Sequence, residues 1–436
     1  LPLIGGMLAQ AAIGLTDTIM MGWYGVAELA AVALGASYFH VILILGMGFG
    51  LAVTPLVAAA GATDDHRRVR RVTRMGLWIG GLYAILALPP LWWSGAIFLI
   101  LGQEARVAAD AGTYLRIAGC GIAPAVLLVV LRSHVSALEH ARIVLYATLS
   151  GAGLNALLNW ILIFGRLGAP ELGIAGAAWA SLGTHLSVFA VLAVYAARAR
   201  DLRRHALFAR FWRPDWGTMA EVFRLGLPIA LTLLAESGLF AATFVMMGWI
   251  GALELAAHGI ALQIASTTFM VHIGLSQAAT VRAGQAWGRD DVADLRLAGL
   301  AALAWSGAMV AVSVFAFTVF PEALVGLFVD PRDPMRSELI AAGAGFLVVA
   351  ALFQLADAAQ VMALGLLRGA RDTRTPMIYA VVSYWLVGLP CAYVLGFPLG
   401  LDGRGVWLGL VVGLALAGAA MMARFWRGPA RAVRAA

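Results

Sequence analysis

The stretch Met20-Met21-Gly22-Trp23-Tyr24-Gly25-Val26-Ala27-Glu28-Leu29-Ala30-Ala31 returns 226 residues later. It reads there Met246-Met247-Gly248-Trp249-Ile250-Gly251-Ala252-Leu253-Glu254-Leu255-Ala256-Ala257. The register holds upstream without a gap. Leu1-Pro2 aligns with Leu227-Pro228, and Leu8-Ala9-Gln10 with Leu234-Ala235-Glu236. A looser register of 233 places Glu139 on Asp372 and Tyr146 on Tyr379. A repeat of 20–50 residues would suggest a solenoid, whereas half of a 436-residue chain means duplication of a whole bundle. Each copy carries an acid deep in an apolar run. Asp17 aligns with Thr243, and Glu236 with Gln10.

Hydrophobic residues make up 62% of the chain and charged residues only 12%, about half the charge of a soluble domain. Apolar runs of membrane-spanning length recur from end to end. They lack the alternation of a strand-built barrel, so the expected class is an all-α integral membrane protein. The chain opens at Leu1 inside an apolar stretch, so a short leader is expected ahead of this numbering. Cys120 and Cys391 lie in apolar spans. Two cysteines cannot build a disulfide framework, and they read as small buried packing residues.

Twelve spans are predicted, near 1–22, 32–60, 74–100, 112–134, 143–165, 174–197, 223–248, 255–281, 296–320, 337–365, 376–396 and 405–424. All thirty basic residues are arginine, and twenty-four fall in alternate connections or in the tail. The positive-inside rule makes those connections cytoplasmic, together with both termini. The net charge of +7 is therefore a topology and lipid-headgroup signal, with no nucleic-acid partner. The polar stretch 198–222 reads as a cytoplasmic linker between bundles at 1–197 and 223–424, and 425–436 as a basic cytoplasmic tail. Six spans per copy keep the copies in the same orientation. They are expected to be related by a pseudo-two-fold axis along the membrane normal, with a working cavity at the seam.

A carboxylate at bilayer depth costs about 2.5 kcal/mol or more, so packing alone does not select it. Asp17 lies seven residues after Gln10, on the same helix face. Asn155 and Asn159, at i and i+4, point the same way in the fifth span, and Ser181 follows in the sixth. A carboxylate among neutral oxygens suits a small hard cation such as sodium, while without them it is a proton carrier. Both readings stand. The second copy offers Glu236, Asp357 flanked by Gln354 and Gln360, and Gln263 in the eighth span. The plainer role for each is an interhelical hydrogen bond. Glu28 and Glu254 sit at span starts, where an acid complements a helix N-terminus. Gly22, Gly25, Gly248 and Gly251 read as turn residues. The span histidines His40, His134, His185, His258 and His272 form no HExxH pattern.

Three segments together resemble multidrug and toxic compound extrusion (MATE) transporters. They are Asp17-Thr18-Ile19-Met20-Met21-Gly22, the duplicated Glu-Leu-Ala-Ala, and Leu367-Arg368-Gly369-Ala370-Arg371-Asp372-Thr373-Arg374-Thr375-Pro376. The resemblance covers essentially the whole chain. An acid in each of spans one, seven and ten resembles the NorM-type branch. It implies an antiporter, not an enzyme, that exports cationic amphipathic drugs and dyes in exchange for sodium or protons by alternating access. It also implies no cofactor beyond the coupling ion and a monomer working in a bacterial inner membrane. Pro2, Gln10 and Asp17 match first-helix positions tied to bending and coupling. Asn155, Asn159 and Ser181 match a first-half cation site, with sodium held by Asp17, Asn155 and Asn159. Glu236 and Asp357 match a second-half pair, joined here by Gln263, for drug, cation or proton. Phe353 stands where close relatives carry a tyrosine, which weights the sodium reading toward the first half. The alternative is a flippase for a lipid-linked anionic oligosaccharide. It calls for a cationic cavity, and Arg116 and Arg132 would be the residues to supply one.

Overall fold

A computed structural model describes residues 1–332 and 334–431. The end of the predicted tail, with Arg434, lies outside these residues. Among these described residues, twelve helices are long and apolar enough to cross a membrane. They are α1 (Pro2–Tyr24), α2 (Val26–Ala62), α3 (His66–Trp92), α4 (Ala105–Ala137), α5 (Ala141–Phe164) and α6 (Gly173–Arg198). Then come α7 (Trp216–Ile250), α8 (Ala252–Gly288), α9 (Val292–Val319), α10 (Arg336–Gly369), α11 (Arg374–Gly396) and α12 (Asp402–Arg427). No strand occurs among the described residues. Helices are the expected element, because in hydrocarbon each backbone polar group must be paired within its own segment.

The duplicated stretch is a one-residue hinge between paired helices. Gly25 N–H donates to Met21 O, and Gly25 O accepts from Leu29 N–H. Gly251 does the same with Met247 and Leu255. One glycine thus ends the first helix and begins the second, so α2 and α8 start earlier than their apolar runs suggest. Gly22 and Gly248 lie inside α1 and α7 and are not turn residues. The acid explains the glycine. A Cβ on Gly25 would collide with the Glu28 carboxylate, and one on Gly251 would stand 2.7 Å from Glu254 Oε2. The carboxylate folds over the residue that caps the helix, near the positive end of the helix dipole.

The repeat also governs the next connection. Asp64 and Asp290 both take left-handed backbone, with φ of 53° and 54°. The following residues cap α3 and α9: Asp65 accepts from Arg68 N–H and Asp291 from Asp294 N–H, each at 2.9 Å. Aspartate tolerates left-handed backbone and is a strong N-cap, so two adjacent aspartates suffice for this turn.

The cysteine reading is corrected by the packing. Cys120 is exposed and Cys391 only partly covered. An apolar span with a lipid-facing side does not bury every small residue it contains.

The chain divides into two compact units, Leu1–Ala230 and Leu231–Ala436, with the division inside α7. In the first unit, α3 carries a stripe of polar side chains that grips the 200–221 segment. Arg68 Nη2 donates to both Glu221 carboxylate oxygens at 2.8 and 3.0 Å. Arg71 pairs with Asp215 at 3.6 Å. Arg74 donates to Arg210 O at 2.9 Å and Trp78 Nε1 to Phe211 O at 2.9 Å. Spacings of three and four residues put these side chains on one helix face. Their arginines, read from sequence as a topology signal, also dock the connection. The start of α7 then packs on α2 at backbone distance, because a Cβ on Gly48 would lie 2.5 Å from Ala230 N and 2.6 Å from Gly226 O.

In the second unit α8 and α10 are joined by a polar zipper. Gln354 Nε2 donates to Thr268 Oγ1 at 2.6 Å and to Ala265 O at 3.2 Å. Ser276 Oγ donates to Val361 O at 2.8 Å, and Thr280 Oγ1 to Gly365 O at 2.9 Å. Hydrogen bonds across helices and small residues at the contact are what hold bundles together where lipid is as apolar as the core. α11 contains a π-helical turn, Val382–Gly388, an element frequent at functional sites.

Candidate functional site

Asp17 of α1 is held by two neighbouring helices. Asn159 Nδ2 of α5 donates to Asp17 Oδ1 at 2.6 Å and to Asn155 Oδ1 at 3.2 Å. Ser181 Oγ of α6 donates to Asp17 Oδ2 at 3.2 Å. Both asparagines are fully buried. The structure therefore brings Asp17, Asn155, Asn159 and Ser181 into one network. Asp17 as a whole is partly covered. A carboxylate has about four lone-pair sites, and two are used here.

The network also contains unused polar atoms. Asn155 Nδ2 and Asn159 Oδ1 are buried with no hydrogen-bond partner. As placed, Asn159 presents its nitrogen to Asp17. Rotating that amide by half a turn would present Oδ1 instead, and amide oxygen is a good ligand for a hard cation. Among the described residues no three His, Cys, Asp or Glu side chains converge as a metal cage, so any cation here would rely on neutral oxygens around one acid.

Sequence reasoning missed a member of this neighbourhood. Tyr114 of α4 is buried beside Ser181 and lies within electrostatic range of Asp17. Its signal was weak, since a tyrosine in an apolar span is usually packing. Gln10 is half-buried two turns earlier on α1, and none of the hydrogen bonds described for Asp17 involves it. Pro2 occupies the first turn of α1, while its repeat mate Pro228 lies inside α7.

The second unit assembles a different cluster. Asp357 of α10 is 1% exposed, and neither of its oxygens has a hydrogen-bond partner. The Gln354 and Ser276 bonds of the zipper fix α10 on both sides of it. Glu236 of α7 lies within electrostatic range of Asp357, and Arg368 within range of Glu236. Gln360, fully buried, also leaves its amide atoms unpaired. Gln263 is exposed on α8, and none of the hydrogen bonds described for that helix joins it to Asp357 or Glu236, whereas Thr268 on the same helix bonds Gln354. Phe353 packs edge-on to Phe240 and Trp407, with ring centroids 6.1 and 5.5 Å apart.

The π-helical turn of α11 supplies what the sequence did not announce. Tyr384 is fully buried, its hydroxyl has no partner, and it lies within range of both Glu236 and Asp357. Trp385 Nε1 donates to Ala235 O at 3.1 Å, the residue before Glu236. Its ring lies against Gly238, where a Cβ would meet Trp385 Cζ2 at 2.7 Å. Consecutive residues thus reach the acid pair and the backbone that carries Glu236. Buried polar atoms without a protein partner are rare in native proteins, and here several of them gather around two acids.

Comparison with known proteins identifies the family. A family profile described as MatE matches residues 2–161 and 228–394. A protein of Rhizobium meliloti (strain 1021), named probable multidrug resistance protein NorM, is 47% identical over 98% of this chain and 91% of that one. Its namesake in Agrobacterium fabrum (strain C58) is 44% identical, again over 98% and 91%. Among solved structures, a MATE protein in the bent conformation aligns at TM-score 0.87 and 22% identity, over 98% of this chain and 93% of that one. A MOP superfamily transporter from Pyrococcus furiosus, described by the reverse polarity of its binding pocket, aligns at TM-score 0.86 and 23% identity over 98% and 93%.

Proposed function

Because the chain belongs to the MATE family, which makes it a multi-pass membrane transporter and not an enzyme, we propose that it exports cationic amphipathic drugs and dyes in exchange for sodium ions or protons. The observation that carries this reading is the Asp17 network. An acid, two amides and a hydroxyl converge from three membrane-spanning helices, α1, α5 and α6. The relatives named as multidrug resistance proteins support the substrate class.

In this reading the transporter works by alternating access, with the repeated bundles at 1–197 and 223–424 as the moving bodies and 198–222 as their linker. Both termini and the arginine-rich connections face the cytoplasm of a bacterium, and a single chain suffices. Loading of Asp17 by a cation or proton removes its negative charge. The organic cation then binds less tightly and leaves. Coupling needs only this difference in affinity between the two states. Glu236 and Asp357, close together with one arginine nearby, form a second negative site that accepts one positive charge at a time, from drug, ion or proton.

The test uses liposomes preloaded with ethidium. One set receives an inward sodium gradient at equal pH, the other an inward proton gradient without sodium. Export under either gradient that is lost in Asp17→Asn supports the proposal. Export that persists in a folded Asp17→Asn protein overturns the coupling role. No export under either gradient would return attention to the flippase reading.

A further inference from the structure

The surface of the first unit carries a groove of about 600 Å³ between the first turn of α5 and the last turns of α6. Its floor is Ile143, Ala190, Val191 and Val194, and its end is Tyr195 and Arg198. Val191 and Val194 are 44% and 51% exposed, so the floor is uncovered by protein. From Ala190 to Arg198 the helix rises roughly 12 Å at 1.5 Å per residue. One leaflet of a ~30 Å hydrocarbon core is about 15 Å deep. The groove therefore runs most of one leaflet and stops at its polar edge.

The chemistry changes at that edge. Tyr195 is pinned by a 2.9 Å hydrogen bond between its hydroxyl and His140 Nδ1, which places an aromatic ring at the junction of floor and end, where such rings favour the membrane interface. Arg198 closes the groove. Arg142 precedes Ile143, and Arg200 lies just beyond Arg198. All three arginines are exposed, and among the described residues none forms an ion pair. Their neighbours elsewhere in the unit behave otherwise: Arg68 and Arg71 are paired with acids.

We propose that this groove binds an anionic glycerophospholipid, with one acyl chain along Ile143, Val191 and Val194 and the phosphate held by Arg198 and Arg142. The apolar floor excludes a site for free phosphate, which needs no hydrocarbon slot. The acyl chain confers little selectivity, since surrounding lipid is equally apolar. The arginines confer it. Two basic contacts to an anionic headgroup correspond to roughly a 30-fold preference over a neutral one.

Native mass spectrometry of the detergent-purified protein, titrated with phosphatidylglycerol or phosphatidylcholine, reads this directly. The expected result is tight retention of one phosphatidylglycerol, about 30-fold preferred over phosphatidylcholine and not displaced by inorganic phosphate. The double variant Arg142→Ala, Arg198→Ala should lose the preference. Val194→Trp should fill the groove and reduce phosphatidylglycerol retention with the arginines intact. Equal retention of the two lipids by the wild type, unchanged retention in both variants, or displacement by inorganic phosphate would each overturn the assignment. Ethidium export by the same variants reports that they are folded, because none of these residues belongs to the acid sites.

Discussion

Asn159 donates its amide to Asp17 Oδ1 at 2.6 Å, from a position 142 residues later in the chain. The same nitrogen bonds Asn155 Oδ1 at 3.2 Å, so one amide ties the acid of α1 to the buried face of α5. This relationship separates the two coupling chemistries. In the proposed reading a sodium ion would draw on the amide oxygens beside Asp17, while a proton would need only the carboxylate. Asn159→Leu should abolish sodium-driven ethidium export and reduce proton-driven export less. Removing the amide takes away an oxygen that would support the ion, so the sodium affinity should fall on the order of tenfold to a hundredfold. Isothermal titration with sodium chloride, beside the two liposome assays, checks this. Equal losses under both gradients would mean that Asn159 only positions α1.

Tyr384 should separate stability from activity. Its hydroxyl is buried without a partner beside two acids, and an unpaired buried hydroxyl costs about 1–3 kcal/mol. Tyr384→Phe keeps the ring and removes that cost. The ligand-free protein should melt at a higher temperature, while ethidium binding weakens several-fold. A variant that is less stable and binds normally would show the hydroxyl to be structural.

Trp385 tests the same turn from the other side. Trp385→Phe loses the donor to Ala235 O and leaves the backbone before Glu236 free to shift. A net hydrogen bond contributes about 0.5–1.5 kcal/mol. The expected signature is a modest fall in melting temperature with a larger fall in ethidium affinity. Trp385→His, which can restore a ring N–H, should recover part of the affinity in a fluorescence titration.

The linker grip should depend on pH through His205. This imidazole is 2% exposed. Burial first, then the neighbouring His66 and Arg204, push its pKa down to about 4, with Asp64 acting the other way. His134 completes its surroundings, with ring centroids 6.2 Å away. A histidine held neutral in the folded state binds fewer protons than in the unfolded state, where its pKa is about 6.5. Its stabilising contribution is therefore full above pH ~6.5 and is lost as pH falls from there toward about 4. Melting curves between pH 7.5 and 4.5 should show a steeper acid loss in the wild type than in His205→Phe. Parallel curves would remove His205 as the cause.

Gly48 sets the approach of α2 to the start of α7. A Cβ there would press on Ala230 N and Gly226 O, both backbone atoms that cannot swing aside. Gly48→Val should destabilise by about 1–3 kcal/mol, the usual effect of overpacking. By contrast, Arg68→Ala should change stability by at most about 1 kcal/mol, because the Arg68–Glu221 pair is partly exposed, at 42% and 31%. A melting-temperature comparison that ranked them the other way would show the ion pair, not the glycine contact, to be the main hold on α7.

By itself the sequence determined the membrane class, the twelve spans and the duplication. These are one-dimensional properties: a span is an apolar run of fixed length, and a repeat is a fixed offset. It also pointed to Asp17, Asn155 and Asn159, because an acid at bilayer depth is costly and an i, i+4 pair shares a face whatever surrounds it. What the tertiary structure decided is which faces meet. Ser181 reaches Asp17 from α6, while Gln263, equally polar, is exposed and has no side-chain hydrogen bond among those described. Tyr384 and Trp385 enter the second cluster only because a π-helical turn re-aims them, and an extra residue in a helical turn leaves no mark in composition or period. The arginines of α3 carry the same charge whether they meet water, lipid or the linker. Only the fold placed Glu221, Asp215 and the carbonyl of Arg210 within their reach.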